Sequence, residues 1–154
     1  MRSILKTLSL SAAAVVGLAF ANVAAAKTCE LSIEGNDMMQ YSTKELTVAK
    51  DCTEVKLTLK HTGKLAKEVM GHNWVLVAEG DYDALIKGSG AAGAANDYVA
   101  KDAKVVAKTK VIGGGASDSV TFKKADLKAG TNYKYVCTFP GHFGVMFGVL
   151  KVEG

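Results

Sequence analysis

The sequence predicts an all-β domain, a sandwich or barrel built from short strands. Apolar residues alternate with polar ones along much of the chain, most clearly at Val55, Leu57 and Leu59. This period-two pattern places the apolar side chains on one face of a strand. Glycine, asparagine and aspartate cluster between such runs, for example at 35–37 and 113–115, and these residues are typical of turns. Many short strands joined by turns favour this fold class.

The strand segments can be placed along the chain from the same pattern. Val105, Val106 and Val111 mark one or two strands, and the run at 74–77 is apolar throughout, which indicates a strand buried on both faces. The remaining segments with a strand pattern are 29–33, 46–48, 55–60, 120–122, 133–137 and 145–152.

Residues 80–103 interrupt the strand pattern. Tyr82, Leu85 and Ile86 have helical spacing, whereas the segment at 88–96 is rich in glycine and alanine. Glycine is unfavourable within a helix. We therefore expect a short helix followed by a flexible flap, inserted between two strands.

The N-terminus has the layout of a secretory signal peptide. Arg2 and Lys6 precede an apolar run from residue 8 to 20, and three alanines close the segment at 24–26. The apolar run is short for a membrane span. We expect residues 1–26 to be removed, leaving one domain at 27–154 that is not inserted in a membrane. The net charge would fall from +4 to +2, and so weak a surplus argues against binding to nucleic acid.

Three cysteines in an exported chain imply one disulfide and one thiol with another use. We favour the pair Cys29–Cys52, because Cys137 has a better role as a metal ligand. One disulfide of any other pairing, with an inert buried thiol, remains the alternative.

The segment CTFPGHFGVM at 137–146 holds a thiol, an imidazole and a thioether within ten residues. A loop between two strands can curl these groups around one point, and Pro140 and Gly141 supply its turn residues. A second imidazole comes from His72, at the entry of the predicted strand at 74–77. We interpret His61 as a packed or hydrogen-bonded histidine and not as a ligand.

Two histidines, one cysteine and a weak axial methionine are the ligand set of blue-copper electron-transfer sites. Thiolate and thioether suit Cu(I), and imidazole serves both oxidation states. The predicted metal ligands are therefore His72, Cys137, His142 and Met146, and the predicted function is electron transfer by copper that cycles between Cu(II) and Cu(I).

The segments MGHNWVL at 70–76 and YVCTFPGHFGVMFG at 135–148 resemble the azurins, a family of bacterial blue-copper cupredoxins. The likeness extends to CELSIEGNDMMQY at 29–41 and DSVTF at 118–122, and Cys29 and Cys52 match the cysteines of the family's disulfide.

The resemblance implies an eight-stranded Greek-key β-sandwich with a short external helix, binding one copper. His72, Cys137 and His142 would form the trigonal plane, with Met146 axial and the Gly71 carbonyl opposite. Asn73 and the backbone N–H of Phe139 would brace the Cys137 sulfur, and Trp74 would lie in the core.

The resemblance also implies transient docking of redox proteins, either c-type cytochromes or a copper or haem reductase, to a monomer in the periplasm. The expected contact surface, called the docking patch below, surrounds His142 and comprises Met39, Leu65, Val69, Met70, Phe139 and Val145. Three features depart from the family pattern: Phe143 is bulky, Thr62 replaces a common proline, and the flap at 88–96 is unusually rich in glycine and alanine.

Other classes of function fit the residues less well. A thiol nucleophile at Cys137 would need a third orienting group, and a copper oxidase or reductase would need more than the three histidines present. Neither enzyme is expected. A copper storage or delivery protein could use the same ligands, and structural zinc prefers four strong cysteine or histidine ligands.

Overall fold

The computed structural model describes residues 26–154. The predicted signal peptide at 1–26 therefore lies outside the described residues, except for Ala26. Eight strands account for most of the regular structure in the described part. They are β1 (Thr28–Gly35), β2 (Glu45–Val48), β3 (Glu54–His61), β4 (Val75–Ala78), β5 (Val105–Lys108), β6 (Ser117–Lys123), β7 (Tyr133–Val136) and β8 (Phe147–Val152).

The strands form two sheets. One sheet has the order β1-β3-β6 and the other has the order β2-β8-β7-β4-β5. Strands β1 and β3 pair in parallel, as do β2 and β8, and the other neighbours are antiparallel. The predicted eight-stranded β-sandwich is confirmed. The predicted strands at 74–77, 133–137 and 145–152 are each longer at one end than the observed strands, which leave out Trp74, Cys137, Val145 and Met146. Val111 also lies outside a strand, and its neighbour Ile112 forms an isolated bridge with His72.

The core lies between the two sheets. Val55, Leu57 and Leu59 of β3 point inward and are fully buried, as their alternation predicts. They pack in one cluster with Leu76 of β4 and with Trp74, which has no exposed surface. Trp74 is thus a core residue, as expected. Burial of these large side chains stabilises the sandwich that carries the site.

A helix covers the outer face of the second sheet. Helix α1 spans Lys67–Met70 and helix α2 spans Tyr82–Ala92, with short 3-10 turns at Glu79–Asp81, Ala94–Asn96 and Lys124–Asp126. Val75 and Val77 face away from the core and pack with Leu85 of α2. This packing explains why β4 is apolar on both faces. Neither helix of the described residues has the length and apolar character needed to span a bilayer.

Helix α2 is longer than its composition predicts, because it continues into the glycine-rich segment. Ser89 is buried and its hydroxyl donates to the carbonyl of Ile86 at 2.8 Å. A Cβ on Gly88 would lie 3.3 Å from the Cβ of Ala100, so a small residue permits close packing there. The helix ends at Gly93, whose φ of 68° suits glycine. Tertiary packing therefore overrides the low helix propensity of glycine.

Several strand ends meet at one end of the sandwich. β1 ends at Gly35 and β3 at His61, while β4 begins three residues after His72. β7 ends immediately before Cys137, and β8 begins immediately after Met146. Cys137 and Met146 are thus presented directly from strand ends, which are rigid positions for a binding site, and His142 lies in the loop between them.

Cys29 and Cys52 form a disulfide, and Cys137 is a free, buried thiol. The favoured pairing is confirmed. The bond ties the start of β1 to the residues before β3, so it lies at the opposite end of β1 from Gly35 and the predicted ligands.

Replacing both Cys29 and Cys52 by alanine should lower the free energy of unfolding without altering metal binding. The bond crosslinks residues 23 apart, and its loss releases chain entropy in the unfolded state worth about 3 kcal/mol. Denaturant unfolding of the metal-free protein measures the loss. Unchanged stability, or an altered Cu(II) spectrum, would contradict this assignment of the bond as a remote structural crosslink.

Candidate metal centre

The loop between β7 and β8 is closed by its own backbone. The N–H of Cys137 donates to the carbonyl of Met146 at 2.9 Å, and the N–H of Met146 donates to the carbonyl of His142 at 2.8 Å. The N–H of His142 donates to the carbonyl of Phe139 at 3.0 Å. Gly141 has a φ of 83°, which suits glycine. These bonds hold Cys137, His142 and Met146 on one side of a compact turn.

His72 is fixed from two directions. Its backbone N–H and carbonyl both pair with Ile112, at 3.0 and 2.8 Å. Its Nε2 lies 2.8 Å from the carbonyl of Asn36. A carbonyl only accepts hydrogen bonds, so Nε2 carries the proton and Nδ1 is left with its lone pair towards the other donors.

Three donor atoms converge at this point. The Nδ1 atoms of His72 and His142 are 3.2 Å apart. The Sγ atom of Cys137 lies 3.9 Å from Nδ1 of His72 and 3.7 Å from Nδ1 of His142. With these separations, a point in the plane of the three atoms lies about 2.1 Å from each, within the range of metal–nitrogen and metal–thiolate bonds. The donor set and its spacing therefore fit a trigonally bound metal ion.

The three groups are shielded from water. His72 and Cys137 have no exposed surface, and His142 is 3% exposed. Burial raises the pKa of the Cys137 thiol to about 12, although the backbone N–H groups of Asn73 and Phe139 act in the opposite direction. Burial also lowers the pKa of His72 to about 4 and lowers that of His142. Without metal at neutral pH, the thiol is protonated and both imidazoles are neutral.

Met146 and Gly71 lie on the borders of the same space. Met146 is fully buried, and the carbonyl of Gly71 is 3.9 Å from the Cys137 sulfur. Gly35 lies beside both Met146 and His72: a Cβ there would be 2.7 Å from Cδ2 of His72 and 3.4 Å from Cε of Met146. Only a residue without a side chain leaves these two groups in place.

Asn73 and Thr138 form a clamp behind Cys137. The backbone N–H of Thr138 donates to Oδ1 of Asn73 at 2.8 Å, and Nδ2 of Asn73 donates to the Thr138 hydroxyl at 2.8 Å. The clamp joins the segment that carries His72 to the segment that carries Cys137. Thr138 was not singled out from the sequence, although its position next to Cys137 made it a candidate.

His61 lies next to the donors but has no nitrogen to offer. Its ring stacks on His72 with centroids 4.3 Å apart. Nδ1 accepts the N–H of Gly63 at 3.0 Å, which leaves the proton on Nε2, 2.8 Å from the carbonyl of Met70. The structure thus agrees with the interpretation of His61 as a packed, hydrogen-bonded residue.

The residues of the docking patch differ in exposure. Val69, Val145, Leu65 and Met39 are exposed and Met70 is partly exposed, whereas Phe139 is 7% exposed and lies beneath the surface against His142. Three exposed apolar side chains from the same segments were not assigned to the patch: Met38, Phe143 and Phe147. The bulk of Phe143 was noted, but nothing in the sequence distinguished Met38 or Phe147 from core residues.

Comparison with known proteins identifies the family. The family described as copper binding proteins, plastocyanin/azurin family, matches residues 27–153. The chain belongs to this family. Azurin-1 of Alcaligenes xylosoxydans xylosoxydans is 55% identical over 125 residues, which cover 80% of this chain and 97% of that protein.

Other relatives agree with this result. The azurin of Pseudomonas aeruginosa is 43% identical over 145 residues, covering 94% of this chain and 97% of its own length. Among solved structures, the azurin Az-iso2 of the methylotroph Methylomonas sp. strain J matches with a TM-score of 0.78 at 41% identity, covering 82% of this chain and 98% of the other.

Family membership and the site together establish the function class. The protein is a blue-copper electron-transfer protein of the cupredoxin fold, its cofactor is copper, and it is not an enzyme. The predicted cofactor and function are confirmed.

Gly35→Ala should disturb the site through steric contact alone. The new methyl group would press on His72 and Met146, and overpacking of this kind costs about 1–3 kcal/mol. We expect lower thermal stability of the metal-free protein and a shifted thiolate-to-copper absorption band. Gly144→Ala is the matched control, because a Cβ there meets no atom within 4 Å. Equal behaviour of the two variants would rule out a spacing role for Gly35.

Proposed function

We propose that His72, Cys137 and His142 would hold the copper ion, with the Met146 thioether and the Gly71 carbonyl as weaker ligands. The observation that carries this proposal is the mutual spacing of the three donor atoms, between 3.2 and 3.9 Å. One copper binds per chain. Asn73 and the backbone N–H of Phe139 brace the Cys137 sulfur, in keeping with their effect on its pKa.

Copper, when bound, supplies a one-electron couple between Cu(II) and Cu(I). The residues keep the site unchanged between the two states. The closed 137–146 loop and the Ile112 bridge to His72 resist movement of the donors, and burial excludes water from them. A site that does not reorganise on reduction presents a low barrier to electron transfer.

Electrons enter and leave through the docking patch. Its exposed members and Phe143 are apolar side chains open to solvent, and Met39 and Val145 line one surface hollow beside the loop that carries His142. Small apolar surfaces suit brief encounters, because small interfaces dissociate readily. We propose that the partners are c-type cytochromes or a copper or haem reductase, and that the protein acts as a monomer.

We also propose that the protein is exported from the cytoplasm. Residues 1–26 serve as a signal peptide, and residues 27–154 act in the periplasm. The Cys29–Cys52 disulfide supports this location, since disulfides persist in oxidising compartments.

Addition of one equivalent of Cu(II) to residues 27–154 should produce an intense blue thiolate-to-copper band. Cys137→Ser should abolish the band, because serine removes the thiolate. Met146→Ala should keep copper and colour but change the reduction potential, because only the axial donor is lost. Absorption, EPR and voltammetry give the three readouts. A pale tetragonal Cu(II) spectrum in the wild type that is unaffected by Cys137→Ser would overturn the ligand assignment.

A charge placed in the docking patch should slow electron exchange between two copies of the protein. Val145→Asp puts a carboxylate on a surface that must lose water on contact, and we expect the self-exchange rate to fall by about tenfold or more. NMR line broadening in mixtures of oxidised and reduced protein measures this rate. Val152→Asp is the control, since Val152 is exposed on β8, six residues beyond the loop. Equal rates for the two variants would place the electron-transfer surface elsewhere.

A further inference from the structure

The turn at Asp97 and Tyr98, directly after the 3-10 turn at Ala94–Asn96, contacts both segments that carry proposed ligands: the one with His72 and the 137–146 loop. Both residues have positive φ angles, 53° and 56°. Non-glycine residues adopt such angles rarely, and two in succession persist only where the surrounding contacts hold them. The contacts that do so lead directly to the metal centre.

The backbone carbonyl of Asp97 supports the clamp behind Cys137. It accepts a hydrogen bond from Nδ2 of Asn73 at 2.8 Å and another from the Thr138 hydroxyl at 3.3 Å. Oδ1 of Asn73 can accept the Thr138 N–H only when Nδ2 of the same amide points towards the Asp97 carbonyl. The carbonyl of Asp97 therefore sets the orientation of a side chain that lies between His72 and Cys137.

The carboxylate of Asp97 anchors the turn to the segment after β5. Oδ1 accepts the backbone N–H of Val111 at 2.9 Å, and Oδ2 pairs with Nζ of Lys108 at 3.2 Å. Val111 directly precedes Ile112, the residue that bridges to His72 in both directions. The same side chain thus fixes the backbone on which the His72 position depends.

The ring of Tyr98 contacts the 137–146 loop at a second point, beside His142. It packs edge-on against Phe139 with centroids 5.2 Å apart, and Phe139 in turn packs on the imidazole of His142 at 4.7 Å. Phe139 is nearly buried between them. Tyr98 therefore limits the space into which the His142 ring could move.

We propose that Asp97 and Tyr98 are positioning residues for the copper site, and that their turn acts as a brace that holds the His72 segment and the 137–146 loop in one arrangement. The proposal rests on the ligand assignment made above. It gives residues 80–103 a role in the metal centre, although none of them offers a donor atom to the metal.

Asp97→Gly is the decisive variant. Glycine adopts the positive φ without strain but lacks the carboxylate, so its effect reports lost anchoring and not a strained backbone. We expect about tenfold weaker copper affinity, as is usual when a residue supporting a ligand is lost. We also expect a shifted thiolate-to-copper band and altered copper hyperfine splitting in EPR.

A second readout needs no copper. In the metal-free protein, the Thr138 amide should exchange its hydrogen with solvent faster in Asp97→Gly than in the wild type, relative to amides of β1 and β3. Asp97→Asn should restore slow exchange, because asparagine tolerates this φ and can still accept the Val111 N–H. Asp102→Asn should change nothing, since Asp102 is exposed and forms no ion pair with a described residue.

The outcomes separate this proposal from the ligand assignment. Wild-type spectrum and wild-type Thr138 exchange in Asp97→Gly would overturn the brace. Uniformly faster exchange throughout the protein, without rescue by asparagine, would also overturn it and indicate a general loss of stability. If the wild type itself forms no blue site, the ligand assignment fails, and Thr138 exchange in the metal-free protein still decides whether the brace exists.

Discussion

The burial of a thiol beside two imidazole nitrogens is the constraint on which the rest of this structure depends. Placing three polar donors within 3.9 Å of one another, away from water, leaves each without solvent to satisfy it. The protein compensates by giving the neighbouring polar groups partners of their own. Nε2 of His72 meets the Asn36 carbonyl, and the amide of Asn73 is fully engaged by Thr138 and Asp97. With Nε2 of His72 engaged in this way, its Nδ1 is left facing the Cys137 sulfur and Nδ1 of His142.

This arrangement requires a rigid scaffold, which the β-sandwich provides. The strands that carry or flank the donors are central in their sheets: β3 lies between β1 and β6, and β7 lies between β8 and β4. Their ends cannot shift without breaking ladder hydrogen bonds on both sides. The backbone of Gly35 and the stacked ring of His61 lie against the His72 imidazole and restrict its movement. The geometry expected of the bound state is therefore present in the protein chain itself.

The sequence predicts those parts of the structure that local residue patterns determine. The alternation at Val55, Leu57 and Leu59 predicts β3, and the spacing of Cys137, His142 and Met146 predicts a loop able to surround one point. Features that depend on tertiary packing leave no such local pattern. Helix α2 continues through Gly88 and Gly90, and at Gly88 the small residue fits closely against Ala100. Asp97 contacts the Asn73–Thr138 clamp through its backbone carbonyl, and no residue pattern records which carbonyl will face which amide. Phe139 was expected at the surface, but its ring is almost completely covered.

The strand order constrains the stage of folding at which the larger sheet is completed. β8 lies between β2 and β7, and it consists of residues 147–152, which follow the 137–146 loop. The larger sheet therefore has a gap in it until nearly the whole chain is available, and the parallel pairing of β2 with β8 joins residues about a hundred positions apart. Such distant pairings form late and slowly. The donors cannot be enclosed before this last strand is inserted, so completion of the fold and assembly of the cavity are a single event. A partly synthesised chain has no pocket in which to trap a metal ion, and selection of the metal is postponed until the fold is complete.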